Sequence, residues 1–290
     1  MLAYSLEGRG APLLLVHGWG VTYDIWRVLG PLLQPYFTLI KVVLPGIGQS
    51  PPSPPDQPYY EACADQLAAL IDYLGYEQVS VFAYSTGTRA AETLVLRYPH
   101  LVERVVFLCP VYPEGGRAVY MQVVDFLDQR APRWGDWMLR AGRLRAMVQI
   151  LGFNGRGGAY LHDWLGEIST QSVAELKNTL RDIPAYKRHE VGLPDQRTLF
   201  IWGRYDLVQP RPRRLLPQDR LLDAAHNAPL FAARSIAREA IPFLLGATDG
   251  REQQTYPTLR TRPFFFARPR PVRFLARRLA PIRTRRGRSI

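Results

Sequence analysis

Cysteine is scarce in this chain of 290 residues: there are two, Cys63 and Cys109. So few thiols exclude a disulfide-stapled scaffold, and their separation gives no metal-ligand spacing. Each lies in an apolar segment, one in an expected helix and one in an expected strand, which fits reduced core thiols. Lysine is scarcer than the basic character suggests, three residues against 34 arginines. No run approaches the ~18 apolar residues of a membrane span, and Met1-Leu-Ala-Tyr-Ser-Leu-Glu-Gly8 lacks the basic-then-apolar order of a leader. The expectation is a soluble, cytoplasmic protein. Acids are the minority charge, 25 against 37 Lys and Arg, for a formal net charge of +12. That excess is local. Residues 247–290 hold twelve Arg and two acids, net +10, leaving +2 for everything before them.

What is present is 47% hydrophobic residues over a length that can bury a sizeable core in one or two domains. One stretch organises the rest. Val79 to Tyr84 is β-branched and aromatic, with strand character, while Thr86 onward places Ala90, Ala91, Leu94 and Val95 on one helical face. Ser85 stands between them. A strand that turns at once into a helix has no room for bulk beside the turn, so small residues are needed two positions either side of the hydroxyl. Ala83 and Gly87 supply them. Taken alone, the stretch also reads as an ordinary βα unit with a serine at the helix cap.

Upstream, Leu2 to Leu6 suits a short strand, and Gly8-Arg-Gly10 turns it toward Pro12-Leu-Leu-Leu-Val16, apolar enough to be covered on both faces. His17-Gly-Trp-Gly20 follows. A Gly-flanked loop after a strand can aim backbone N–H groups into a cleft, as an oxyanion hole requires. Asp24 to Leu33 reads as a first helix, Thr38 to Val43 as a strand, and Leu44-Pro-Gly-Ile-Gly-Gln-Ser50 as a turn. A helix is expected from about Tyr59 to Leu74, with Leu67, Leu70, Ile71 and Leu74 on one face and Gly75 as its stop. Val105 to Cys109 is another buried strand, so strands alternate with amphipathic helices as in a covered parallel sheet.

From residue 112 to 190 no strand is expected, while helices are expected near Val119 to Gln129, Trp137 to Leu151 and Val173 to Leu180. The parallel pattern resumes at Arg197 to Trp202, and Asp206 lies just past that strand, where it can reach the crevice in which open α/β sheets bind ligands. Twenty positions on, His226 follows a short strand, and Pro229 opens a last helix to about Leu245. A neutral serine hydroxyl is a poor nucleophile, so an imidazole must take its proton and a carboxylate must hold that imidazole in the right tautomer. Ser85, Asp206 and His226 are the candidates, as nucleophile, orienting acid and base. Asp206 as a turn cap and His226 as a surface histidine are the mundane readings of each residue taken singly.

The order Ser, Asp, His, with Ala83-Tyr-Ser-Thr-Gly87 close to a G-x-S-x-G elbow and His17-Gly-Trp-Gly20 before it, resembles the α/β-hydrolase fold superfamily. The resemblance spans residues 1–246 and implies a mostly parallel sheet flanked by helices, with residues 1–111 and 191–246 as core and 112–190 as a helical lid. It implies backbone N–H groups of Trp19 and Thr86 as the oxyanion hole, a bracing role for His17, and chemistry without metal or cofactor. Trp19, Tyr84, Trp134, Trp137, Phe153 and Trp164 are the substrate-pocket candidates, and packing between lid and core is the plainer use of the lid aromatics. Within the superfamily, Trp26-Arg27, Phe37-Thr-Leu39, Leu44-Pro-Gly46 and Ala225-His226 are similar to carboxylesterases of biotin synthesis that cleave a pimeloyl-acyl-carrier-protein methyl ester. Leu44 stands where the superfamily usually has aspartate. Ala83-Tyr-Ser-Thr-Gly-Thr88 stands where those esterases have G-W-S-x-G-G.

The expected activity is serine esterase, acting on a small ester or one held by an acidic acyl-carrier protein docked on Arg130, Arg133, Arg140, Arg143, Arg145 and Arg156. A solvated, mixed-charge helix face is the plainer reading of those arginines. Carbon–carbon bond hydrolases, thioesterases and cofactor-free haloperoxidase-like enzymes share the serine. Haloalkane dehalogenases and epoxide hydrolases need a carboxylate there. A ligand- or partner-binding module without turnover is the non-enzyme alternative. Residues 247–290, with five prolines and Phe264-Phe-Phe266 among the arginines, are expected to be a disordered tail. An anionic membrane surface or nucleic acid are the partners such a tail would suit.

Overall fold

Leu13, Leu14, Leu15 and Val16 are all fully buried, although successive side chains of a strand point to opposite faces. Only a sheet covered on both sides satisfies four such neighbours. The computed structural model describes residues 1–111, 126, 129–130, 132–140, 171–183, 197–209, 211–212 and 214–246. The chain divides into two units, Met1–Asp249 and Gly250–Ile290, and the second, with most of the expected tail, lies outside those residues.

The strands are β1 (Tyr4–Gly8), β2 (Ala11–Val16), β3 (Phe37–Val42), β4 (Val79–Tyr84), β5 (Val102–Leu108), β6 (Thr198–Gly203) and β7 (Asp219–Leu222). They form one sheet in the order β1-β3-β2-β4-β5-β6-β7, in which β1 is antiparallel to β3 and the other neighbours are parallel. The helices are α1 (Gly30–Leu33), α2 (Tyr59–Tyr73), α3 (Gly87–Arg97), α4 (Pro132–Arg140), α5 (Val173–Arg181), α6 (Ala228–Phe231) and α7 (Ala233–Leu244). The period of two sorts the core. Leu14, Val16, Val81, Ala83 and Phe107 pack with Leu67, Ile71, Ala91 and Leu94 of α2 and α3. Leu13, Leu15, Phe82, Val106 and Ile201 pack with Trp26, Leu33, Ile236 and Leu244 on the other face.

Several elements depart from expectation. Asp24 to Leu33 is not one helix: a 3₁₀ turn, Tyr23–Trp26, is capped by the Thr22 hydroxyl, and α1 starts afresh with Pro31 in its first turn. The last helix is two, because Ala232 leaves the helical region at φ −125°, ψ 20°. Strand β5 begins at Val102, three residues before the expected start, and α4 begins at Pro132 instead of Trp137. The expected helix over 119–129 and the remainder of 137–151 fall largely outside the described residues. Among the described residues, no helix is long and apolar enough to cross a membrane.

Candidate active site

Strand β4 delivers Ser85 to the carboxyl edge of the sheet, and the backbone there turns through φ +54°, the left-handed region that side chains rarely adopt. Three hydrogen bonds hold the turn. Ser85 N–H donates to Leu108 O (3.0 Å), while the Thr88 N–H (3.0 Å) and hydroxyl (2.6 Å) both donate to Ser85 O. Close packing explains the small residues. A Cβ on Gly87 would lie 2.1 Å from His17 O, and one on Gly18 would lie 2.7 Å from Ser85 Cβ. Two glycines therefore let the His17–Gly20 loop approach the serine closely, with Trp19 next in line and Thr86 at the entry to α3.

Behind the serine, the side chains from three distant segments meet. Ser85 Oγ and His226 Nε2 are 2.8 Å apart, and His226 Nδ1 and Asp206 Oδ2 are 2.7 Å apart. A carboxylate can only accept, so Nδ1 carries the proton and Nε2 is left to accept from the serine hydroxyl. Asp206 is fixed in turn: its Oδ1 accepts from Val208 N–H (2.9 Å) and Gln209 N–H (2.8 Å). All three residues are buried. This is the geometry needed to remove a hydroxyl proton as the oxygen attacks a carbonyl.

The neighbours stabilise this arrangement. Tyr84 is buried, packs its ring 5.4 Å from that of His226, and donates its hydroxyl to Asn227 Oδ1 (2.9 Å). Tyr84, expected as a pocket residue, is thus tied to the histidine loop through Asn227 and the His226 ring. His17 is part of the frame: Nδ1–H donates to Gly18 O (2.8 Å) and Nε2 accepts from Leu44 N–H (3.0 Å), tying two loops together. Burial drives its pKa down from 6.5 to about 4, against a smaller upward pull from the Gly18 carbonyl. The unfolded chain binds a proton that the folded chain refuses between those values. Stability contributed by neutral His17 is thus whole above pH 6.5 and lost as pH falls toward 4, by about 3 kcal/mol. Urea unfolding at pH 7 and pH 4.5 is expected to show that drop, and His17→Gln, which cannot titrate, is expected to lose most of it.

Helix α5 packs onto the same side. Glu175 is buried and accepts from Ser53 N–H (3.0 Å) and the Ser53 hydroxyl, and a Cβ on Gly46 would collide with it. Trp19 Nε1 donates to Leu176 O (2.9 Å), and Tyr60 hydroxyl to Thr179 O (2.8 Å). Trp134 and Trp137 are exposed on α4, with their rings stacked at 6.4 Å. Phe153 and Trp164 lie outside the described residues. Reasoning from sequence missed Glu175, Asn227 and Cys109, whose partners are remote in the chain. Among the described residues, Cys109 Sγ, an Asp206 oxygen and a His226 nitrogen lie within 4.8 Å of one another, a donor set that a borderline cation accepts. Asp206 and His226 already spend facing atoms on each other, so a cation there would break that bond.

A family model described as alpha/beta hydrolase fold matches residues 11–141. A thermophilic esterase from Thermogutta terrifontis, solved with malate bound, superposes with a TM-score of 0.69 at 22% identity, over 84% of this chain and 93% of that one. The chain has the α/β-hydrolase fold. The chain is also 24% identical over 265 residues to a pimeloyl-(acyl-carrier protein) methyl ester esterase of Aeromonas hydrophila subsp. hydrophila, covering 84% of this chain and all of that one. A soluble epoxide hydrolase of Corynebacterium sp. is 34% identical over 107 residues, 36% of each chain.

Proposed function

We propose that this α/β-hydrolase is a carboxylic ester hydrolase that works through a covalent acyl-enzyme. The observation that carries the proposal is the relay Ser85–His226–Asp206, at 2.8 and 2.7 Å. In this reading the Ser85 hydroxyl attacks the ester carbonyl while Nε2 of His226 takes its proton, and the Asp206 carboxylate stabilises the imidazolium. Backbone N–H groups of Trp19 and Thr86 hold the developing oxyanion, aided by the amino-terminal end of α3. The imidazolium then protonates the departing alcohol, and water repeats the sequence to free the acid. Similarity to the acyl-carrier-protein methyl ester esterase favours a small acyl ester, free or carrier-bound. Exposed Arg130 and Arg133 would face an acidic carrier. Epoxide hydrolysis in this fold needs a carboxylate nucleophile, and this chain has Ser85 at the elbow.

Residues 112–190 are assigned to a lid on the support of α5, whose carbonyls and carboxylate bind Trp19, Tyr60 and Ser53. The test is a panel of p-nitrophenyl esters of increasing acyl length, with mass spectrometry of the protein quenched during turnover. Hydrolysis with an acyl adduct on the Ser85 peptide is the expected result. No turnover on any ester would favour a binding module of the same fold, and turnover with an adduct on another residue would displace Ser85.

A further inference from the structure

Cys109 takes no part in the mechanism above, yet the fold holds it at a cost. It follows β5 with φ +46°, and among the described non-glycine residues it shares a positive φ with Ser85 alone. Such a conformation persists in an L residue only when its surroundings fix it. Here the Cys109 N–H donates to Ile201 O (2.8 Å), and the side chain is 1% exposed. The thiol is pointed at the relay. Its sulfur lies within 4.8 Å of both an Asp206 carboxylate oxygen and a His226 ring nitrogen. The Asp206 carboxylate is thus the acceptor that the buried thiol faces. A carboxylate accepts only, so a hydrogen bond between the two runs from the S–H to Asp206.

We propose that Cys109 is a positioning residue, whose S–H clamps the Asp206 carboxylate in the orientation that receives His226 Nδ1–H. The inference rests on reading Ser85, His226 and Asp206 as the working relay. Two backbone donors, Val208 and Gln209, hold Asp206 Oδ1 from one side. The thiol adds a donor from the neighbouring strand end, so the carboxylate is held from two elements instead of one. The donor is permanent: burial first, then the Asp206 charge, push the thiol well above its ordinary range, so it keeps its proton wherever the enzyme would work. Among the described residues, the titratable groups beside Cys109 and Asp206 are His226, bonded to Asp206, and Tyr84, whose ring packs on His226 and whose hydroxyl is committed to Asn227.

Three variants separate a donor from a filler. Cys109→Ala and Cys109→Gly both lack the donor, and glycine suits a positive φ, so the second secures a folded protein without it. Cys109→Ser restores an O–H. Both donorless variants are expected to lose about fivefold in kcat, the effect of one ordinary hydrogen bond, with KM little changed. Their acid limb of kcat/KM is expected at higher pH, because a carboxylate that has lost a donor holds the imidazolium more tightly. The low-field proton resonance of His226 Nδ1–H is expected to move with it, and Cys109→Ser is expected to restore all three. Wild-type kcat, acid limb and resonance in Cys109→Gly, or a serine variant no different from alanine, would overturn the proposal. If the wild-type protein turned over no ester, the esterase reading would fall, while the resonance and its response to the variants would still decide the clamp.

Discussion

Ser85→Ala is expected to lower kcat on any ester the protein hydrolyses by about a millionfold, leaving the residual rate that binding and an oxyanion hole give without a nucleophile. The loss is chemical and not structural. The hydroxyl's hydrogen bond is to His226, whereas the backbone of Ser85 holds the turn through Leu108 O and the Thr88 donors. None of those bonds needs the side chain. Alanine carries the same Cβ as serine at φ +54°, so the strain of the turn is unchanged and the unfolding free energy is expected within about 1 kcal/mol of wild type. Single-turnover kinetics, with urea unfolding on the same preparation, check both halves. Hydrolysis at the wild-type rate would remove Ser85 from the mechanism, and collapse of the fold would mean that the hydroxyl supports the elbow.

The parts of this molecule that follow from local rules were legible before any coordinates. Strand β4 and the helix after it were bounded closely, since the β-branched and aromatic residues Val79, Val81, Phe82 and Tyr84 carry the strand to the turn and the helical period starts at once. The stop at Gly75 was legible as well, because a left-handed glycine, here φ +75°, ends helices for a local reason. Early β5 was not. Val102 pairs with Val79 across a shift in register, and only the neighbouring strand reveals that an interrupted polar segment, Glu103-Arg104, belongs to a strand. The same limit hid Cys109 and Glu175, whose chemistry depends on Asp206 and Ser53, 97 and 122 positions away. Arg89 and Glu92 were hidden in the same way. Neither stood out in the sequence, and both are fully buried as an ion pair at 2.5 Å on α3, which packs with the sheet and α2. The relay itself was legible as three residue types in an order, and its convergence required the sheet.

Asp206→Asn separates two jobs of the carboxylate that the wild-type chain performs together. Val208 and Gln209 present two N–H donors to Oδ1, and an asparagine satisfies them by placing its carbonyl oxygen there. Its NH₂ then faces His226 Nδ1, which must become an acceptor. The ring proton moves to Nε2 and points at Ser85, so the imidazole cannot take the hydroxyl proton. The expected cost is about 10⁴-fold in kcat, the penalty of the wrong tautomer in serine hydrolases that use the same relay. Stability should change little, because every backbone donor keeps a partner. Asp206→Ala inverts the balance. It frees His226 to adopt either tautomer, and it leaves two backbone donors without the carboxylate, at about 1–3 kcal/mol if water does not reach them. Alanine is therefore expected to be less stable than asparagine in urea and yet no slower in turnover. Asparagine with more than a tenth of wild-type kcat would mean that Asp206 does not set the tautomer, and the role of His226 as base would need another support.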